Sequence, residues 1–426
     1  MRHLTRRTAL AAWIVVNAAC GDLVRNIVGY PAWGAIVAAS LVWVLVELWL
    51  LRVRIGRIPV SIAMLVVLAV ASSIWAISPG WSLVASALLL GMLACTIFIA
   101  ALPYPRILDV VHWSLQGLLI ASFAFELFVA LVLRRPLYPL WSDYPPGTTA
   151  EFQWSGGLLL EGGRIQGVMG NANLLAMVAL IALIVAGCRA VAGLDRAWPA
   201  WVALPIAALV LTRSATVAFA VVAVAVIAGL IVAWVRWRGA IFYRVFGLAI
   251  GAGLLAMAAI IAQWTAVTDF VGREADMSGR LEIWGRVVAL ALESPVVGVG
   301  YIGHWMPWVP PFDELGRMGE VTYLHAHNVW LDVFLQLGIV GVLAWGAIQV
   351  RSLGNCLGAL YRSEPHERAL NAAPLLIWVA LFVQGLAESR PWIELGMILL
   401  LMFAIGRRRR DIAPRAPATE AFPALA

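Results

Sequence analysis

His325-Ala326-His327-Asn328, followed by the apolar run Val329-Trp330-Leu331-Asp332-Val333-Phe334-Leu335-Gln336-Leu337-Gly338-Ile339-Val340-Gly341 and on to Val350, is the stretch that decides the fold. A helix needs ~20 mostly apolar residues to cross a bilayer, and this run has that length. Runs of the same kind recur along the whole chain. Spans are expected at 8–23, 31–51, 58–77, 82–102, 112–133, 172–190, 199–212, 215–235, 245–264, 329–350, 371–388 and 393–406. In lipid only helices and closed barrels satisfy their backbone hydrogen bonds. Continuous runs, rather than alternating ones of ~10 residues, select helices. The expected fold is therefore all-α, a polytopic helical membrane protein of about twelve spans.

Composition agrees. The chain is 63% hydrophobic and 12% charged, whereas ordinary soluble domains carry ~25% charge. All 30 basic residues are arginine. The net charge of +7 does not indicate nucleic acid binding, because the arginines fall in short loops between apolar runs. None of the 4 cysteines forms a CxxC pair, so neither a disulfide framework nor a thiolate metal site is expected. The start, MRHLTRR and an apolar run to Cys20, imitates a signal peptide. With so many runs downstream it reads as a first transmembrane helix.

Arginine placement sets the orientation, since cytoplasmic loops carry the excess of positive charge. A cytoplasmic N-terminus puts twenty of the 30 arginines inside, Arg106, Arg189, Arg351 and Arg407 to Arg410 among them. Both termini are then cytoplasmic. Residues 1–410 form one integral membrane domain and 411–426 a disordered tail. Two long outer loops result, 134–171 and 265–328, the second between the ninth and tenth spans.

The outer arginines stand out because they oppose this bias. Arg134 and Arg135 end a span, where snorkelling accounts for them. Four polar pieces carry the others. His327 precedes Asn328, a good N-cap for the helix from Val329. An imidazole at the positive end of a helix is expected neutral and able to accept a proton, beside backbone N–H groups that attract phosphate oxygens. A capping histidine is the plain alternative. His325 and His327 two apart, with no evident third ligand, are weak grounds for a metal. Asp332, a turn into the helix, is either a supporting partner or a lone polar residue.

Ser278-Gly279-Arg280-Leu281-Glu282-Ile283-Trp284-Gly285-Arg286 reads as an amphipathic surface helix capped by Ser278. Leu281, Trp284, Val288 and Ala291 form its apolar face, with Ile283 and Val287 widening it. Arg280 in the first turn opposes the dipole, which points to a ligand such as a diphosphate. Leu211-Thr212-Arg213-Ser214 is a charged break between two runs, costly at membrane depth unless used. Gly163-Arg164-Ile165-Gln166-Gly167 leads into Gly170-Asn171-Ala172-Asn173, where Asn171 can cap a span. The loop tryptophans Trp141, Trp154, Trp305 and Trp308 could stack on sugars, but interfacial anchoring is the stronger reading.

These pieces, in this order, resemble the O-antigen ligase/O-antigen polymerase family. His327-Asn328, the nine residues Val329 to Leu337, then Gly338 and Gly341 have the family's late spacing. The Ser278-to-Trp284 stretch with Pro295-Val296-Val297-Gly298-Val299-Gly300 is similar to its large-loop motif. Arg164 through Asn173 resembles its entry into the mid-chain span. Thr212 stands before Arg213 where the family has Ser, and Ser214 follows. The resemblance implies a GT-C-like inverting glycosyltransferase, without metal or other cofactor, in the cytoplasmic membrane with its site on the outer face. Its donor would be a glycan on undecaprenyl diphosphate, and its acceptor a glycan or glycolipid hydroxyl. His327 would be the base, and Arg213 and Arg280 would hold the diphosphate. Arg164, Asn328, Arg286 and His325 would bind substrate. The rival reading is a transporter or flippase for lipid-linked oligosaccharide, using Glu47, Glu126 and Asp332 inside the bundle.

Overall fold

The computed structural model describes residues 2–52, 58–145, 147–237, 276–318 and 321–406, with isolated positions between 239 and 251. Apart from those positions, the expected span 245–264 lies outside the described residues, as do Arg273 and the tail 411–426. The described chain is helical almost throughout: α1 (Arg2–Leu50), α2 (Val60–Ser72), α3 (Pro79–Ala100), α4 (Tyr104–Phe128), α5 (Ala172–Val191), α6 (Trp198–Thr212) and α7 (Ala215–Arg236). After the large loop begins come α8 (Asp276–Ala291), the single turn α9 (Phe312–Leu315), and a two-residue hairpin pairing Arg317 with Thr322 and Met318 with Val321. α10 (Val329–Tyr361), α11 (Arg368–Gly385) and α12 (Glu394–Ile405) complete it. Among the described residues 7 helices are long and apolar enough to cross a membrane, and α2, α6 and α12 are shorter apolar helices. The protein is an all-α polytopic membrane protein.

Two expected spans, 8–23 and 31–51, fall within α1, which is two helices joined across a kink: Cys20 and Gly29 (φ 79°) leave helical geometry, and Pro31 follows. α5 is the most enclosed spanning helix, packed on α4, α6 and α11, while α1 and α7 face outward over most of their length. That arrangement puts the start of α5 beside the starts of α7 and α10, where the polar loops gather.

α8 departs from the expected face. Its helix begins at Asp276, so Ser278 lies inside it, and Arg280 sits past the first turn. The buried line is Arg280, Ile283, Val287 and Ala291, whereas Leu281 and Val288 are exposed. Hydropathy alone could not choose this rotation: the helix turns to carry Arg280 inward, where a carboxylate meets it.

α10 is broken at Gly338 (φ 60°, ψ −161°). The break admits the loop Pro295–Gly300, which hydrogen-bonds to the opened backbone. Ile339 N–H donates to Pro295 O (2.9 Å), Val299 N–H to Leu335 O (2.9 Å) and Gly300 N–H to Gln336 O (3.0 Å). A Cβ on Gly338 would lie 2.3 Å from the Val296 carbonyl carbon, and one on Gly298 2.3 Å from that of Gln336. The late glycine and the Pro295-to-Gly300 motif are thus two sides of one backbone contact. Gly338→Ala meets both a left-handed φ and that overlap, so it is expected to destabilise the protein by about 2 kcal/mol or more. A melting curve in detergent checks it, and a variant melting like the parent would remove the docking argument.

Candidate active site

The site is built around Glu388, in the short connection after α11. Its carboxylate is buried and receives three side chains from elsewhere in the chain. His327 Nδ1 lies 3.0 Å from Oε2. Arg280 donates to Oε1 (3.2 Å), and Asn173 Nδ2 donates to the same oxygen (3.1 Å). Arg280 also donates to Ala387 O (2.9 Å). From Asn173 the network continues: its Oδ1 accepts from Ser214 Oγ (2.8 Å) and from Arg164 Nη2 (3.1 Å). Arg164 Nε donates to Thr212 O (3.1 Å).

Each partner is placed by a helix end. Asn328 caps α10, its Oδ1 accepting from Trp330 N (2.9 Å) and Leu331 N (3.3 Å), and its Nδ2 reaches Leu386 O (3.1 Å). Asn171 caps α5 by accepting from Asn173 N (2.9 Å) and Leu174 N (3.1 Å). Ser214 caps α7, accepting from Val217 N (3.3 Å). Three capped N-termini therefore meet at one polar cluster, and each brings partial positive charge and a preference for anions.

The histidine loop is held from beneath and from the side. Asp332 Oδ2 accepts from Ala326 N (3.0 Å) and from Ser389 Oγ, which in turn accepts from Asn328 N (3.2 Å). Trp284 Nε1 donates to Ala326 O (2.8 Å), tying α8 to this loop and Arg280 to His327. Asp332 thus supports the loop rather than lying idle. His327 itself is left-handed (φ 52°), and so is Arg213 (φ 46°). Non-glycine residues held there mark places where the surroundings over-determine the backbone, as functional sites do.

The electrostatics follow from this crowding. Burial alone would push the Glu388 carboxyl up, but its bond to His327 and the nearby Arg280 and Arg390 hold it below the usual carboxylate value. Loss of water around His325 pushes that imidazole well down, with His327, His304, Arg390 and Arg280 adding to the effect. A neutral His325 fits its observed use, because its Nδ1 accepts the backbone N–H of His327 (3.1 Å). On the other side, His327 Nε2 is buried without a hydrogen-bond partner among the described residues. If Nδ1–H donates to Glu388, the lone pair is fixed on Nε2.

Of the expected site residues, His327, Arg280, Arg164 and Asn328 join one hydrogen-bonded network, and His325 abuts it. Arg213 adjoins it through Ser214; its side chain is exposed, with no partner among the described residues, and Nη2 lies 3.9 Å from where a Gly162 Cβ would stand. Arg286 is placed elsewhere: it pairs with Glu282 and donates to Arg317 O (2.8 Å), clamping the hairpin to α8. His325, His327 and Glu388 also bring ligand atoms within 4.8 Å of one another, near enough to hold a metal ion. Charge argues for another use, since a cation there would meet Arg280 and Arg390 in a poorly screened interior.

Glu388, Ser389 and Arg390 were not anticipated from the sequence. The signal was present: Glu388-Ser389-Arg390-Pro391 is a charged break between two apolar runs, the same pattern that singled out Thr212-Arg213-Ser214.

Residues 200–346 match the model of the O-antigen ligase family. Over that segment, about a third of its length, the chain is similar to the O-antigen ligase family. It is also 28% identical over 151 residues to the exopolysaccharide production protein ExoQ of Rhizobium meliloti (strain 1021), covering 33% of this chain and 34% of the relative. The match thus spans about a third of that relative's length. The matched segment contains Arg213, Arg280, His327, Asn328 and the Gly338 break. Arg164, Asn173 and Glu388 lie outside it and are joined to it by the hydrogen bonds above.

Proposed function

We propose that this protein transfers a glycan from an undecaprenyl-diphosphate-type donor to a sugar hydroxyl of an acceptor glycan or glycolipid. The reaction belongs to cell-surface polysaccharide biosynthesis and takes place at the outer face of the cytoplasmic membrane. The observation that carries the reading is the Glu388 carboxylate bridging His327 Nδ1 and Arg280, with His327 Nε2 left free beside three helix N-termini.

In the step so arranged, the acceptor oxygen attacks the anomeric carbon of the donor sugar from the face opposite its diphosphate. The new C–O bond forms as the C–O bond to the diphosphate breaks, and the configuration inverts. The acceptor proton passes to His327 Nε2. The electron pair leaves with the lipid diphosphate, whose charge is met by Arg213, the helix N-termini and Arg164. Arg280 holds Glu388 in place and adds positive charge. A metal is not required for this, since fixed dipoles and guanidinium groups supply the stabilisation. The transport reading loses its charges: Glu47 is paired with Arg6 and Arg7, and Glu126 accepts from Ser155, Gln166 N and Gly167 N.

Among the described residues Arg213 is exposed and without a partner, so Arg213→Ala is expected to lower transfer by about 10²-fold, the loss typical of one preorganised charge-stabilising donor. Arg213→Lys should recover only part of it, lacking the bidentate fork. The measurement is surface glycan per inserted protein in a deletion strain carrying each variant. Normal glycan with Arg213→Ala would remove that residue from the site. In the same strain without any copy, accumulation of single lipid-linked repeats indicates a polymerase, and full-length lipid-linked chains a ligase.

A further inference from the structure

The four loop tryptophans part company in the structure. Trp154 and Trp305 are core residues at 5% and 0% exposure, whereas Trp141 and Trp308 are 43% and 52% exposed. The exposed pair does not stand alone. Tyr30, at the break in α1, meets Trp141 edge-to-face with ring centres 5.5 Å apart, and Trp308 at 6.3 Å. Trp81, in the first turn of α3, lies 5.8 Å from Trp308. Four distant segments thus deliver rings to one patch.

The rings are held in place. Leu140 N–H donates to Asn26 O (2.7 Å), clamping the Trp141 loop to α1. A Cβ on Gly29 would lie 3.3 Å from the Trp141 Cβ, so the glycine permits the approach. Trp305 N–H donates to Leu324 O (2.9 Å), fastening the Trp308 loop to the segment that leads into the histidines. The patch is also continuous with the active site. Arg25 stands over the Tyr30 ring (5.1 Å) and pairs with Asp22 (2.8 Å); Asp22 reaches Arg390 (3.6 Å), whose charge acts on both His325 and Glu388.

Interfacial anchoring requires only that each ring sit at headgroup level, not that rings touch one another. Convergence of rings on one another, flanked by a guanidinium and a carboxylate, is a different arrangement. Trp141 and Trp308 keep much of their surface exposed, and the negative π face of an indole suits the weakly positive C–H face of a pyranose. Arg25, held by the buried Asp22, offers a donor for hydroxyls. We propose that Tyr30, Trp81, Trp141 and Trp308, with Arg25, form a saccharide-binding subsite that holds the glycan chain whose reacting end lies at His327. This rests on the transferase reading above and adds to it where the sugars beyond the reacting one are bound.

The test uses the full-length protein in lipid nanodiscs and, as probe, oligosaccharides released from the producing strain's own surface polysaccharide. Tryptophan fluorescence or calorimetry follows their binding. Trp308→Ala and Trp141→Ala are each expected to weaken binding by about tenfold, the scale of an anchoring aromatic. Trp308→Phe should stay within about threefold, because a ring face remains. Trp49→Ala, an exposed tryptophan far along α1, should bind like the parent. Equal affinity in all of these, or no binding by the parent protein, would overturn the subsite. His327→Ala separates the two claims: it should still bind the oligosaccharide while making no glycan in cells. Unimpaired synthesis by His327→Ala defeats the transferase reading, whereas the titration judges the subsite. Adding the strain's lipid-linked saccharide as competitor identifies the substrate served. Displacement of the free oligosaccharide assigns the subsite to donor sugars, and co-binding assigns it to the acceptor chain; either result sustains it.

Discussion

His327→Ala is expected to lower glycan transfer by about 10²- to 10⁴-fold, the range contributed by a positioned general base, while the protein still inserts and folds. The stability cost is modest because Glu388 keeps its other partners. Arg280 and Asn173 remain within 3.2 Å and 3.1 Å of the carboxylate when the imidazole is gone, so the loss is one hydrogen bond, about 1–3 kcal/mol. Backbone conformation needs its own control, because His327 is held at φ 52° and alanine resists that region. His327→Asn answers it, since asparagine visits the left-handed region readily but offers no base. Both variants should be equally inactive per inserted molecule. If His327→Asn kept a third or more of the parent rate, strain relief rather than proton transfer would be the residue's business.

The two levels of this protein were legible to different degrees. The fold could be read because crossing lipid demands long apolar runs, and those survive in any context. The break in α1 shows in the sequence at Gly29 and Pro31, where the expected spans 8–23 and 31–51 leave a boundary. Arg280 and Arg213 could be found because arginine on the outer side opposes the insertion bias, and His327 because it stands before the N-cap Asn328. The charged break Glu388-Ser389-Arg390 marks its segment in the same way, but it does not say what Glu388 itself will bind. It closes an apolar run, and nothing local says that it will meet an arginine 108 positions earlier in the chain. The rotation of α8 was hidden for the same reason: Leu281 and Ile283 are equally apolar, and only the partner of Arg280 decides which one faces inward. The tryptophans make the point from another side. Four looked alike in sequence, and tertiary packing sends two into the core and two to a shared patch.

Glu388→Gln is expected to reduce transfer nearly as far as His327→Ala, although it changes no shape. The carboxylate oxygens accept from His327 Nδ1, Arg280 and Asn173 at once. Glutamine has one acceptor oxygen, and Arg280 and Asn173, both donors to Oε1, claim it. The amide NH₂ then faces His327 Nδ1 and donates to it, so the imidazole must carry its proton on Nε2, where a lone pair is needed. In catalytic triads the corresponding carboxylate-to-amide change costs about 10⁴-fold for this reason. Charge adds a second effect. The Arg280 and Glu388 side chains are 10% and 6% exposed, and removing one member of a buried pair typically costs about 3–5 kcal/mol. Activity must therefore be read per folded molecule, with melting measured alongside. The double variant His327→Ala/Glu388→Gln should be no less active than the worse single, because residues acting as a unit do not lose rate additively. Glu388→Gln transferring within about threefold of the parent would mean that the Nδ1 contact orients nothing. Rate losses that multiplied in the double variant would mean that the two residues work apart, with Glu388 serving Arg280 alone.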